Sequence, residues 1–396
     1  MNFPESFGGG AILAAVAFVA IAIVSGAANW LVLGLWRRTA GQHWTERARA
    51  LYRARCVCGL NNGLLIGCAI VVGINKTSDS FPWHTLSGAF VGAFLGAVAG
   101  TFPLQRAVFP SRTVRSWIAA VAVGLSFKLV GAGLFIGCVF AMPRHFGAKA
   151  WMIAGGWMAL QLALDFGVWL RLMRLMRLVR PPSDRLTRIV AEASRRTGII
   201  VRAVWELPSP ECQAIAFITT RNMAFTRGLM EHLSDAEIES ICLHELAHLA
   251  EPQRTVWLFR LLALLPQLPI LFTIPAVAHF GASAPWALLC LFYGLVFASV
   301  RLRRRMELHA DRMAATEAPD PAIYARALEK ICEANQTPAV LGGRFQRTHA
   351  DLYDRMASAG VTPDYPRPKK PGRYHWSSAA LLILVAATVA IAVARS

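Results

Sequence analysis

Eight stretches of this chain are apolar for long enough to cross a lipid bilayer, and they limit the fold before any residue is given a role. They cover roughly residues 11–35, 57–74, 84–104, 117–141, 151–170, 257–277, 283–300 and 377–394. About twenty such residues span the hydrocarbon core as a helix. With 55% hydrophobic residues among 396, the chain reads as a polytopic α-helical membrane protein of about eight spans. The first stretch lacks a basic start and runs straight into Arg37 and Arg38, so it reads as an anchor and not a cleaved leader.

Basic residues orient the spans. Arg37, Arg38, Arg47, Arg49, Arg53 and Arg55 lie between the first two; Arg106, Arg112 and Arg115 lie between the third and fourth. A dense run from Arg171 to Arg180 follows the fifth. The alternate loops, 75–83 and 142–150, hold only Lys76, Arg144 and Lys149. Cytoplasmic loops carry the excess of Lys and Arg, so the N-terminus is expected outside and segment 171–256 in the cytoplasm. Arg301 to Arg305, Lys369, Lys370 and Arg373 fall on that same side. The net charge of +18 therefore reflects topology, and nucleic acid is not an expected partner. A bacterial inner membrane fits this bias, with both termini outside.

The expected organisation follows. Residues 1–170 form a bundle of about five spans, and 171–256 the first part of a cytoplasmic α+β domain. Residues 257–300 form a membrane hairpin that interrupts it, 301–376 its second part, and 377–396 a last span. Pro266, Pro269 and Pro275 can kink the hairpin's first arm and make it re-entrant. The eight cysteines are scattered, mostly in apolar segments, and read as small buried hydrophobes. No glycine-rich phosphate loop or tandem repeat is apparent.

Chemistry concentrates at His244-Glu245-Leu246-Ala247-His248. Two histidines four apart share one helix face, so both rings reach a single metal ion. The glutamate between them can take a proton from a water at that metal, which is zinc-dependent peptide hydrolysis. Ser234-Asp235-Ala236-Glu237 is a capping box, so a helix should begin at Ser234. Ile238, Ile241, Cys242, Leu246 and Leu249 give it apolar spacing, and Pro252 should stop it near Glu251.

A zinc hydrolase needs a third protein ligand and one open position. The elongated H-E-x-x-H-x-x-G-x-x-H form is excluded, because Glu251 and Arg254 stand where glycine and histidine would be. Glu307 and Asp311 are four apart on a later helix and share a face. Glu307 is the expected ligand, with Asp311 accepting from the other ring nitrogen of a ligand histidine. His309 lies about 200° round the helix and points elsewhere. Charge balance against Arg301, Arg303, Arg304 and Arg305 is the other reading of this acidic pair.

Within the cytoplasmic part, Ser183 can cap a helix whose buried face is Leu186, Ile189, Val190 and Ala193. Residues 199–205 read as a strand. Residues 213–218 and 222–226 read as a hairpin around Thr219, Thr220 and Arg221. A strand edge at Gln213, Ala214 and Ile215 can pair with an extended substrate; ordinary sheet packing is the competing reading. Residues 325–334 read as a helix, Gly342 and Gly343 lie in a loop, and another helix begins at Thr348. His349 can donate to an oxyanion and Arg355 can hold the loop or substrate, or both can be structural.

These blocks together resemble the membrane-embedded gluzincin peptidases, which include the HtpX-type quality-control protease and the type I CAAX prenyl endopeptidase. The resemblance covers about 180–360. It rests on His244-Glu245-Leu246-Ala247-His248, on Glu307-Leu308-His309-Ala310-Asp311, and on Thr348-His349 followed by Asp351-Leu352-Tyr353-Asp354-Arg355. It implies one zinc on His244, His248 and Glu307, Glu245 as base, Asp311 behind a ligand, and His349 and Arg355 near the substrate. The chain departs from the family in three places. Gln213-Ala214-Ile215-Ala216-Phe217 stands where Asn-Ala-Phe is usual, Ala350 replaces a proline, and Gln253 an acidic residue.

The expected function is a zinc endopeptidase of the cytoplasmic membrane face that cleaves membrane or membrane-proximal polypeptides, as in protein quality control. A dedicated processing peptidase for a lipidated or signalling peptide, and a zinc-binding sensor or inactive relative, are the competing readings.

Overall fold

The computed structural model describes residues 3–75, 83–115, 117–118, 121, 131, 134–135, 137–341, 349–372, 376, 379–383 and 386–387. Among them the chain is mostly helical, with one three-stranded sheet. Four helical stretches are long and apolar enough to cross a membrane: Ala14–Arg37, Ala148–Leu175, Gln253–Leu271 and Thr273–Glu317. The expected spans 117–141 and 377–394 lie largely outside the described residues.

The chain divides into two compact units. One holds Met1–Ile118, Asn335–Leu341 and Arg367–Ser396; the other holds Ala119–Ala334 and Gly342–Pro366. In the first unit the helices Phe3–Arg37, Trp44–Asn75 and Trp83–Ala99 pack together. Their closeness depends on small residues. A Cβ added at Gly92 would lie 2.1 Å from the Ala14 carbonyl oxygen, and one at Gly96 2.5 Å from that of Phe18. Polar groups hold the same interface: Asn29 donates to the Gly100 carbonyl at 2.8 Å, and Ser25 to Asn62 at 2.7 Å. Glycines four apart with hydroxyl and amide bonds are how apolar helices associate where water cannot drive them together.

In the second unit, strands β1 (Ala203–Leu207), β2 (Ala214–Phe217) and β3 (Asn222–Thr226) lie in the order β1-β3-β2. β1 runs parallel to β3 and β2 antiparallel to it. The first strand starts later than the apolar run that begins at Ile199. Gly198, at φ +69°, ends the Asp184–Thr197 helix in the left-handed conformation, and Ser194 caps the Ile199 carbonyl. Residues 199–202 are therefore spent leaving the helix, and pairing begins at Ala203 opposite Asn222. The helix itself buries Leu186, Ile189, Val190 and Ala193. They join Met223 and Phe225 of β3 and Ile238, Cys242, Leu243 and Leu246 in one core.

Those last four belong to the motif helix, Asp235–Leu249. The Glu237 carboxylate accepts from the Ser234 N–H at 2.9 Å and hydroxyl at 3.0 Å, completing the capping box. Lys330 adds an ion pair to Glu237 at 2.6 Å. Pro252 follows and caps the next helix.

The two arms of the 253–317 segment differ. The first is three helical pieces, Gln253–Leu264, Gln267–Leu271 and Thr273–Phe280. Pro266, which has no N–H and clashes with the preceding turn, stands at the first break. The second arm, Ala284–Glu317, is one unbroken helix of 34 residues. At 1.5 Å per residue it is about 51 Å long, against about 30 Å for a hydrocarbon core. It therefore carries an apolar first half and the charged run from Arg301 to Asp311 on a single rod.

The helix after Asp320 is longer than its apolar pattern, Pro321–Ala334, because Pro321 is well suited to a first turn. The last helix begins at Leu352 and not at Thr348: Asp351 takes the N-cap position and leaves His349 in irregular chain. Thr348, Gly342 and Gly343 lie outside the described residues.

Removing the cap should loosen the motif helix. Ser234→Ala is expected to cost about 1 kcal/mol in denaturant unfolding of the detergent-solubilised chain. Lys330 and Ser234 outweigh burial and hold the Glu237 carboxyl below its usual 4.5. A depressed carboxyl stabilises above its unfolded value, so this contribution should be complete at neutral pH and fade as pH drops below 4.5. An unchanged midpoint in Ser234→Ala would remove the cap from the account.

Candidate metal centre

The motif helix is buried along nearly its whole length, which fixes the direction of its polar residues. His244 and His248 stand one turn apart with ring centroids 5.0 Å apart and planes at 87°. The long helix packs against it and brings in Glu307. Glu307 Oε2 is 3.5 Å from His244 Nε2 and 3.5 Å from His248 Nε2. The ligand-capable atoms of these three residues all lie within 4.8 Å of one another.

The arrangement fits a cation and not a hydrogen-bonded cluster. Glu307 Oε2 is buried, and none of its contacts, His349 Nδ1 at 3.1 Å included, has hydrogen-bond geometry. Bonds of about 2.0–2.1 Å at tetrahedral angles place donor atoms about 3.3–3.4 Å apart. The observed 3.5 Å separations match that spacing and are too long for good hydrogen bonds. Two imidazoles and one carboxylate are a donor set suited to zinc and other divalent transition metals.

His244 is braced from behind. Its Nδ1 lies 3.1 Å from Asp311 Oδ1 and 2.8 Å from the Tyr324 hydroxyl oxygen. Tyr324 donates to Asp311 at 2.7 Å, and Arg355 donates to Asp311 at 2.5 Å and to the Tyr324 oxygen at 2.7 Å. With Nδ1 carrying its proton toward these oxygens, Nε2 is the atom turned to a metal, which would displace the proton it otherwise carries. Burial works to keep the His244 ring neutral, but Asp311 and Glu307 outweigh it and lift the pKa to about 9. Burial raises the Tyr324 hydroxyl well above its usual range, so it stays a donor. His248 has no such support: its buried Nδ1 is without a hydrogen-bond partner.

Glu245 points from the same helix toward β2, where the Ala216 N–H donates to its carboxylate. Burial pushes the carboxyl above its usual range, and the two imidazoles only partly oppose this. A buried carboxylate with a raised pKa beside a metal-type ligand set is suited to accepting and returning a proton.

The structure places the remaining expected residues as follows. His349 Nδ1 lies 3.1 Å from Glu307 Oε2, on a half-exposed side chain. Arg355 is held away from solvent by Asp311 and Tyr324. His309 is exposed on another side of the long helix. Gln213, Ala214 and Ile215 lie on or beside β2, which is an edge strand of the sheet. Thr226 donates its backbone N–H to the Gln213 carbonyl at 2.9 Å, so Gln213 faces β3. By the alternation of the antiparallel ladder Ile215 also faces β3, and the groups of Ala214 and Ala216 point outward. Ala216, two residues further on than the expected set is centred, is the one beside Glu245.

Tyr324 is absent from the sequence reading. A lone tyrosine early in a helix carries no pattern, and only the packing of the Pro321–Ala334 helix against the motif helix reveals it.

Residues 182–361 match peptidase family M48. A protease HtpX homolog from Sulfurovum sp. is 37% identical over 75 residues, 18% of this chain and 26% of that protein. Protease HtpX homolog 2 from Methanosarcina mazei is 30% identical over 175 residues, 36% of this chain and 56% of that protein. A protease HtpX homolog from Thermoplasma acidophilum is 26% identical over 172 residues, covering 40% and 53%. The chain thus spans about half the length, or less, of these curated relatives. Over residues 182–361 the chain is similar to family M48 peptidases and to part of the HtpX homologs.

Asp311→Asn should weaken metal binding by about 10–100-fold through His244, without removing a ligand. Competition with a metallochromic chelator measures this; an affinity equal to wild type would show that Asp311 does not support the centre.

Proposed function

We propose that this chain is a zinc-dependent integral-membrane endopeptidase. The observation that carries the reading is the trio of His244 Nε2, His248 Nε2 and Glu307 Oε2 at metal-ligand spacing, beside a buried Glu245. The family M48 match supports it.

His244, His248 and Glu307 would hold one zinc. Bound there, it supplies Lewis acidity that polarises a scissile carbonyl and makes a water acidic near neutral pH. The chain's own residues do the rest. An extended polypeptide pairs with the outward backbone groups of Ala214 and the carbonyl of Ala216 on β2, which brings its scissile bond to Glu245. Glu245 takes the proton from the attacking water on its carboxylate oxygen and gives it to the leaving amine. His349 stands beside Glu307 and donates to the charge that develops on the carbonyl oxygen. Arg355 acts through Asp311 and Tyr324, keeping the His244 ring turned toward the metal.

The substrates are membrane or membrane-proximal polypeptides, and the process is protein quality control. The motif helix ends at Leu249 and an apolar helix begins at Gln253, while Glu307 sits on the rod that begins in the apolar half of Ala284–Glu317. The site is therefore tethered to the bilayer from both of its helices. The clusters of arginine at the ends of the apolar segments support a cytoplasmic site and about eight spans in the domain order 1–170, 171–256, 257–300, 301–376 and 377–396.

Glu245→Gln tests the assignment. Purified full chain should retain zinc at wild-type stoichiometry and lose cleavage of an unfolded polypeptide and of a membrane protein by about 10²–10⁴-fold. Cleavage surviving at the wild-type rate would overturn the role of Glu245.

A further inference from the structure

A chemically distinct cavity lies on the same unit, beside the end of the motif helix just past His248. Its volume is about 560 Å³. Arg202, Arg221 and Arg260 all line it, and Glu251 is the one carboxylate in its wall. Among the described residues no carboxylate lies within ion-pair distance of the three guanidinium groups, and Asp165 partly balances Arg260 from the far side. Arg221 donates to the Ile200 carbonyl at 3.2 Å, and Arg260 donates to the Thr219 hydroxyl. Arg202 is exposed. Three cations around one open space, with donor capacity left over, make a site for an anion.

The backbone adds an independent sign. Arg221 sits at φ +54° in the β2–β3 turn, a position that glycine or asparagine occupies at lower cost. From that position its side chain lines the cavity and reaches the Ile200 carbonyl.

The walls say what carries the anion. Phe166, from Ala148–Leu175, and Trp257, from Gln253–Leu271, line the cavity, and both helices are apolar enough to cross a membrane. Both rings are substantially exposed, at 51% and 44%, and both stack on the Arg260 guanidinium at 4.7 and 4.8 Å. Aromatic rings and arginines at the ends of membrane helices mark the headgroup level. Arg260 and Thr219 also line a neighbouring cavity of about 380 Å³, walled by Leu170, Phe217 and Phe259. The arginine-lined compartment thus adjoins one that is mostly apolar, with Asp165 in its wall.

We propose that this cavity binds the phosphate-bearing headgroup of an anionic phospholipid. Arg202 and Arg221 hold the phosphate from the sheet side and Arg260 from the membrane side. Basic pockets between membrane helices on the cytoplasmic side are the usual places for such headgroups.

The test uses full-length protein in neutral detergent with added phosphatidylglycerol or phosphatidylcholine, and counts bound lipid by native mass spectrometry. Wild type should retain phosphatidylglycerol in preference to phosphatidylcholine. Arg202→Gln with Arg221→Gln should weaken phosphatidylglycerol retention by about tenfold. Arg195→Gln with Arg227→Gln removes the same charge elsewhere on the unit and should leave retention unchanged. Matching thermal unfolding of all three proteins in lipid-free detergent keeps misfolding out of the comparison. Equal loss in both double variants, or no lipid preference in wild type, would overturn the proposal. Inorganic phosphate displacing the lipid at low millimolar concentration would reassign the site to free phosphate. Unchanged lipid retention with an altered preference for acidic over neutral peptide substrates would reassign it to the substrate.

Discussion

Three donor atoms at metal-ligand spacing, one of them a buried carboxylate oxygen, set the terms for this fold. Glu307 Oε2 lies 3.5 Å from both His244 Nε2 and His248 Nε2 and is buried. A buried carboxylate oxygen whose nearest nitrogens, His349 Nδ1 at 3.1 Å among them, make no well-aligned hydrogen bond is costly unless a cation satisfies it. The protein holds this arrangement by fixing two helices on each side of it. One is anchored by its capping box and the Lys330 ion pair, the other by continuity with an apolar segment.

The layer behind the centre is asymmetric, and the asymmetry has a physical reading. His244 is turned by Asp311 and Tyr324, and both are held by Arg355. Its orientation therefore depends on the long helix, the Pro321–Ala334 helix and the Leu352–Ser358 helix together. His248 Nδ1 has no partner, so its ring is positioned by packing alone. Changes far along the chain, at Arg355, thus reach the centre through His244 and not through His248.

Much of this was legible because short-range patterns carry it. The capping box, the four-residue spacing of His244 and His248, and the shared face of Glu307 and Asp311 are all local geometry on helices. The placements that shifted depend on pairing between distant segments. The start of β1 at Ala203 is set by its register with β3. Ala216, and not the Gln213–Ile215 set, meets Glu245 because the ladder parity is fixed by Thr226 bonding to Gln213. His349 lies before a helix and not in it, because the chain is still extended at Asp351, the N-cap position. Tyr324 and the unpaired arginines around the second cavity have no sequence signal at all. Their meaning comes only from what packs beside them.

The contrast between the two arms of the 253–317 segment follows from what each must do. The first arm leaves the motif helix after three residues and is broken near Pro266, so it can follow the surface without transmitting its own axis to the site. The second must deliver one carboxylate oxygen to a fixed point. Met306, Ala310 and Ala314, four apart, form its buried ridge, and both alanines are fully buried. Small side chains let the two helix axes approach closely, which a carboxylate on a short side chain requires to reach two imidazoles. Glu307 and Asp311 each follow a ridge residue, at Met306 and Ala310, so the ridge that sets the approach also aims the ligand and its support. A proline break in this arm would free that aim, which is a physical reason for 34 residues without one in the interior.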